Sequence, residues 1–204
     1  MPRLQGKLVM LREYRKDDLP WMRQWVNDPD IVHQLSDIFL YPQALESTEA
    51  YLESMLDGSS DSRGFVIADP ATEAYIGQVN LDSIDWKNRV GKIGIVIGST
   101  DNFGRGFGTE AMRLLIDFAF LDMNLNRLEL EVYDFNERAI RCYLNCGFIQ
   151  EGRLREKLYK QGRYLDVIQM GMLKSDWKTL RGERKQQVVV PDPTLVNGEG
   201  EDTQ

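Results

Sequence analysis

The stretch Gly91–Leu115, GKIGIVIGSTDNFGRGFGTEAMRLL, constrains this chain more than any other. It passes from an apolar strand through a polar turn into a loop with glycine at 104, 106 and 108. An amphipathic helix opened by Thr109-Glu110 follows. Glycine lets backbone amides close on an anion, and a helix N-terminus carries partial positive charge. Strand, glycine loop and helix in that order make a cradle suited to a phosphate. A P-loop requires Lys and then Ser or Thr after its last glycine, whereas Gly108 precedes Thr109-Glu110. A dinucleotide-binding turn requires a glycine at 109 and a parallel βαβ setting. Here position 109 is Thr, and the strand closes what reads as an antiparallel meander. The glycines could also serve only a tight strand-to-helix turn.

That meander comes from three apolar runs, RGFVIAD, AYIGQVNLDSID and RVGKIGIVIG, separated by turn residues at 69–72 and 86–88. Upstream, residues 7–13 alternate as a strand. Leu19, Met22, Trp25 and Val26 recur at helical spacing until Asn27-Asp28-Pro29, and 43–56 forms a second helix stopped by Asp57-Gly58. Between them, IVHQLSDIFLYP has no period and reads equally as a mobile loop beside a site or a packed connection. Downstream, the helix after the glycine loop spans about 109–122, with Ala111, Leu114, Leu115 and Phe118 on its buried face. Then come a strand, RLELEVYD, a short helix, NERAIRCYLNCG, and strands near 148–158 and 164–173. The order β α α β β β α β α β β predicts an α/β (α+β) fold with one mixed sheet and helices on its faces.

At 204 residues the chain suits one domain, read as 1–178, with a Pro-, Gly- and acid-rich tail at 179–204 that reads as disordered. The net charge is −7; residues 186–204 carry four acids and no Lys or Arg, leaving the body near −3. That balance argues against nucleic-acid binding, which needs clustered positive charge. No apolar run is long enough for a membrane span, and the N-terminus has no signal-peptide core, so a cytoplasmic location is the default expectation. Cys142 and Cys146, four apart, read as small buried groups on one helical face, and the single histidine, His33, as a loop or helix-end side chain. No metal site follows from one distant His and two Cys.

Two separated motifs then narrow the reading. Phe103-Gly104-Arg105-Gly106-Phe107-Gly108 resembles the cofactor loop Arg/Gln-x-x-Gly-x-Gly/Ala of the GNAT N-acetyltransferases, with Phe103 departing at the first position. Asn136-Glu137-Arg138-Ala139, then Tyr143, then Gly147-Phe148 follow that family's Asn-x-x-Ala, Tyr and Gly-Phe pattern. Glu151-Gly152 and Tyr164-x-Asp166 resemble the branch containing ribosomal-protein alanine and diamine acetyltransferases. The resemblance covers roughly residues 7–175 and implies the GNAT fold, with a mainly antiparallel central sheet.

The resemblance implies that amides of Gly104, Arg105, Gly106, Phe107, Gly108 and Thr109 hold the pyrophosphate of acetyl-CoA. The backbone around Val96 and Ile97 would pair with the pantetheine arm, and Asn136 would touch the cofactor besides capping its helix. A splay between this strand and RLELEVYD would open the thioester slot; Gly94 and Gly98 fit irregular pairing there. Tyr143 matches the family's thiolate-protonating tyrosine. An amide near Val96 or Ile97 would steady the oxyanion. The strand Ile93-Gly94-Ile95-Val96 lacks the carboxylate many relatives carry, leaving Asp82, Asp85, Glu131 or a water as proton acceptor. The expected acceptor is a protein N-terminus, amino acid, polyamine or aminoglycoside. HQLSDIFLYP carries only Asp37, which leans slightly away from polyamines. A homodimer is compatible with this reading. A non-catalytic acyl-CoA-binding module on the same fold is the alternative.

Overall fold

A computed structural model describes residues 3–188. Eight strands form one sheet: β1 (Leu4–Gln5), β2 (Met10–Arg12), β3 (Arg63–Ala68), β4 (Tyr75–Asp85), β5 (Val90–Ile97), β6 (Arg127–Tyr133), β7 (Ile149–Lys160) and β8 (Arg163–Leu173). Their spatial order is β1-β2-β3-β4-β5-β6-β8-β7. Every neighbouring pair is antiparallel except β5 and β6. A parallel pair needs a long crossover, and helix α4 (Phe107–Leu121, numbered in chain order with those below) supplies it.

Helices cover both faces, and the period-2 alternation of strand side chains sorts them. Val9, Leu11, Phe65, Ile67 and Ile93 face α4 and α5 (Glu137–Cys146) in one core. Met10, Val66 and Ala68 face Met22 of α1 (Leu19–Trp25) and Leu52 of α3 (Leu45–Asp57) on the other side. Val96 joins Trp25, Val26 and Ile31, the last from the one-turn α2 (Pro29–Val32). Burial on both faces explains why these strands read as nearly continuous apolar runs.

The expected elements form at close to their expected places. Two differences have local causes. The strand expected over 7–13 shortens to β2, because the amides of Lys7, Leu8 and Val9 donate to the Glu110 carboxylate (3.0, 2.6 and 2.8 Å) instead of a ladder. The domain boundary expected at 178 falls inside α6 (Lys174–Val188), so the first ten residues of the expected disordered tail are helical. Trp177 Nε1 donates to Asp117 Oδ1 of α4 at 2.6 Å, and Leu180 packs where a side chain at Gly147 would sit. The rest of that tail, 189–204, lies outside the described residues. The segment 31–42 divides: its start continues α2 and buries Ile31, while Ile38, Leu40 and Tyr41, around a 3₁₀ turn at Asp37–Phe39, are exposed. Among the described residues no helix is long and apolar enough to cross a membrane.

Candidate active site

The site begins where β5 loses a neighbour. Gly98 N donates to Ile76 O at 2.8 Å, fixing which residues of β5 bond to β4. Antiparallel pairs alternate between hydrogen-bonded and non-bonded, so Val96 opposite Gln78 and Gly94 opposite Asn80 also turn their backbone groups to β4. Ile95 and Ile97 turn theirs the other way, toward β6. But β6 pairs with β5 only from Val90↔Arg127 to Lys92↔Glu129, then continues against β8 as far as Tyr133↔Val167. The two central strands part, and the amides and carbonyls of Ile95 and Ile97 face the gap. Of the two backbone positions expected there, Ile97 faces it and Val96 does not; Ile95 takes its place. Gly94 and Gly98 leave room for neighbouring side chains. A Cβ on Gly98 would meet Trp25 and Tyr75 at 3.0 and 3.1 Å, and one on Gly94 would strike Asp82.

The glycine loop continues from the end of that gap. Gly104 and Gly106 have φ of +73° and +84°, which disfavour any side chain. Among the described residues the amides of Gly104, Arg105, Gly106, Phe107, Gly108 and Thr109 have no acceptor; the first bonded amide of the helix is Glu110 N, on Gly106 O at 3.0 Å. Those of Gly106 to Thr109 are the free donors of the α4 N-terminus, with its positive dipole end, and those of Gly104 and Arg105 extend the row into the loop. The Glu110 carboxylate ties residues 7–9 beside the loop, a clamp that the sequence shows only as an acid in the first helical turn. Arg105 is exposed; it donates to Asn102 Oδ1 at 3.3 Å and lies over the Phe107 ring at 4.9 Å. Phe103, the departing position, lies under the Arg138 guanidinium, 3.3 Å from the ring centroid.

Helix α5 crosses beside the loop. Asn136 caps it, accepting from Ala139 N at 3.2 Å, and Gly147 ends it with φ of +104°. Thr109 Oγ1 donates to Cys142 Sγ at 3.3 Å, joining the loop helix to α5. Cys142 is half-buried and Cys146 buried, and neither forms a disulfide among the described residues. Tyr143 is 8% exposed and packs edge-on to Phe148, yet its hydroxyl donates to no acceptor among the described residues. Burial, followed by the charges of Cys142, Cys146 and Asp82, raises its pKa above the ordinary phenol value. It therefore holds its proton at neutral pH.

Over these elements, the 31–42 segment reaches the β6–α5 junction. His33 stacks on Phe135 at 5.0 Å, Arg138 donates to Gln34 Oε1 at 2.7 Å, and Lys160 Nζ donates to the carbonyls of His33 and Leu35. His33, Gln34, Phe135, Asn136, Glu137 and Arg138 line an open cavity of about 290 Å³. His33 thus stacks and lines; among the described residues it hydrogen-bonds to no nucleophile.

The three candidate proton acceptors separate clearly. Asp85 caps its own turn, accepting from Asn88 N and Nδ2 at 2.9 and 2.7 Å. Glu131 is held by Lys157 Nζ at 2.9 and 3.0 Å. Asp82 has no hydrogen-bond donor among the described residues. Its carboxylate keeps solvent access, but protein crowds it on most sides; that desolvation, only partly offset by Lys92, raises its pKa to about 6.

The acetyltransferase (GNAT) domain model matches residues 9–149. The chain belongs to the GNAT acetyltransferase family. It is 30% identical over 169 residues to a spermidine N(1)-acetyltransferase of Vibrio cholerae, covering 83% of this chain and 95% of that protein. It is 33% identical over 102 residues to the putative ribosomal N-acetyltransferase YdaF of Bacillus subtilis, covering 50% and 55%. Among solved structures, the Vibrio cholerae spermidine N-acetyltransferase in complex with CoA and spermine superposes with a TM-score of 0.74 at 27% identity, covering 85% of this chain and 99% of that one. These likenesses fit the branch identified from Glu151-Gly152 and Tyr164-x-Asp166, and the protein is a GNAT N-acetyltransferase.

Proposed function

We propose that this acetyltransferase moves the acetyl group of acetyl-CoA to a primary amine by direct attack within a ternary complex. The observation that carries the reading is the parting of β5 from β6 beside a loop of free amides. Ile95 and Ile97 offer the gap a strand edge, which suits the two amides of a pantetheine arm. The amides of residues 104–109 at the start of α4 offer donors to a pyrophosphate. Tyr143, protonated and with a free hydroxyl, can give the departing thiolate its proton. The Ile95 or Ile97 amide can steady the oxyanion as the carbonyl becomes tetrahedral.

Polyamines lead the acceptor classes. The support is the likeness to spermidine acetyltransferases, one of them in complex with CoA and spermine, together with a body of net negative charge. This reverses the lean drawn from the sparse acids of 31–42.

Thiol release from acetyl-CoA, followed against spermidine, spermine, free amino acids, peptides with free N-termini and an aminoglycoside, tests the proposal. We expect release that depends on acceptor and is fastest with a polyamine. Faster turnover of another amine would reassign the acceptor. Tight acetyl-CoA binding with no acceptor-dependent release would reduce the protein to a binding module.

A further inference from the structure

We propose that Asp82 takes the proton from the attacking amine, reaching the thioester slot across Gly94 from the face of the sheet opposite Tyr143. The inference rests on the acetyl-transfer reading above and supplies a group that β5 itself lacks.

The placement is built by two sequence features acting together. The register between β4 and β5 passes from Leu81↔Ile93 to Ser83↔Lys92, so Asp82 is an extra residue with no partner. Bulges of this kind re-aim a side chain. Opposite it, β5 has glycine. A Cβ built on Gly94 would lie 2.3 Å from Asp82 Oδ2 and 2.9 Å from Oδ1, so the carboxylate occupies the space a side chain would fill. It rests on the β5 backbone one residue before Ile95, where the free backbone edge begins.

The faces matter for the chemistry. Gly94 lies in register with Asn80, whose side chain accepts from Tyr14 and donates to Tyr51 of α3, so Asp82 reaches β5 from the α1–α3 side. Tyr143 belongs to the core on the α4–α5 side. Even so, the Asp82 charge reaches Tyr143, and the gap between β5 and β6 lies between the two sides. A proton acceptor and a proton donor thus flank the slot from opposite faces. The charged and titratable groups around Asp82 are Lys92 on β5, Tyr51 on α3 and Tyr143 on α5. Lys92 Nζ is 3.9 Å from Glu131 and forms no ion pair with Asp82.

The amine nitrogen bonds to the thioester carbonyl carbon and its proton passes to the Asp82 carboxylate, directly or through one water. The carbon–sulfur bond then breaks, the electron pair leaves on sulfur, and the Tyr143 hydroxyl protonates it. Asp82 returns its proton to solvent and Tyr143 recovers one. Desolvation favours a proton on this carboxylate more than on an ordinary aspartate, while leaving it ionised at neutral pH.

Kinetics of Asp82→Asn against the wild type, with the best amine and across pH, tests this. We expect kcat to fall about a hundredfold, the usual scale of a proton-transfer group, with the KM for acetyl-CoA unchanged. Asp82→Glu should recover part of the loss. In the wild type, the profile of kcat/KM should steepen as pH falls through about 6; in Asp82→Asn that added limb should be missing. Gly94→Ala gives an independent handle, because its new Cβ displaces the carboxylate without removing it, and kcat should fall with the melting temperature held. Wild-type kcat in Asp82→Asn, or a uniform loss that keeps the limb near pH 6, would overturn the role. A wild type that transfers to no amine would instead sink the transferase reading, so the two failures are distinguishable.

Discussion

Replacing Tyr143 by Phe removes one oxygen and keeps the ring that packs against Phe148 at 6.2 Å between centroids. Because the hydroxyl donates to no acceptor among the described residues, its loss leaves no orphaned partner, and stability should change by less than about 0.5 kcal/mol. Cofactor affinity should also hold, since the loop amides and the edge of β5 are untouched. The rate should not. Without a proton for the departing thiolate, kcat should fall by at least about tenfold, or about 1.4 kcal/mol of barrier; a fall of about a hundredfold, near 2.7 kcal/mol, is typical of such groups. Burial raises the pKa of this hydroxyl, so the wild type should show no alkaline fall from its ionisation below about pH 10. The assay is thiol release at saturating acetyl-CoA, beside calorimetry for binding. Unchanged kcat with normal binding would remove Tyr143 from the mechanism; equal losses of kcat and affinity would make it a packing residue.

Gly106→Glu places a side chain at φ +84°, where a Cβ already meets Leu8 at 3.2 Å, and adds negative charge among the phosphate-facing amides. Calorimetry should show acetyl-CoA binding abolished, at a stability cost of about 1–2 kcal/mol for the left-handed backbone. Glu110→Ala frees the amides of Lys7, Leu8 and Val9, and chemical denaturation should show a loss of about 1–3 kcal/mol. The raised pKa of Asp82 has a sign for stability as well. What the protonated group leaves to the fold is fully present below about pH 4 and lost as pH rises through about 6. Asp82→Asn should therefore melt higher than the wild type above pH about 6 and level with it below about 4; a difference independent of pH would contradict the desolvation.

The parts of the site that lie within one stretch of chain were legible from residues alone. Alternating glycines after an apolar strand marked the loop, and Asn136, Tyr143 and Gly147 share one short helix whose cap and stop are both readable. What depends on register was not. Choosing Ile95 over Val96 requires knowing which backbone groups β4 consumes, and that follows from the Gly98–Ile76 bond, not from side-chain pattern. Gly94 signalled irregularity in the strand, but the bulge that carries Asp82 onto it belongs to the neighbouring strand. The Glu110 clamp joins residues about a hundred positions apart. The helix running through 178 was not legible because RGERKQQV is too polar to show an apolar helical period, while Trp177 and Leu180 anchor α6 to the body.

Residue-resolved amide exchange with and without acetyl-CoA tests the site most directly, because the account distinguishes adjacent amides on one strand. Val96 N is committed to β4 and should be protected in both states. Ile95, Ile97 and the amides of 104–109 should exchange readily in the free protein and slow when acetyl-CoA binds. Bound acetyl-CoA that leaves Ile95, Ile97 and the loop amides exchanging as before, with protection gained elsewhere, would contradict the assignment of the parted strands and the glycine loop as its seat.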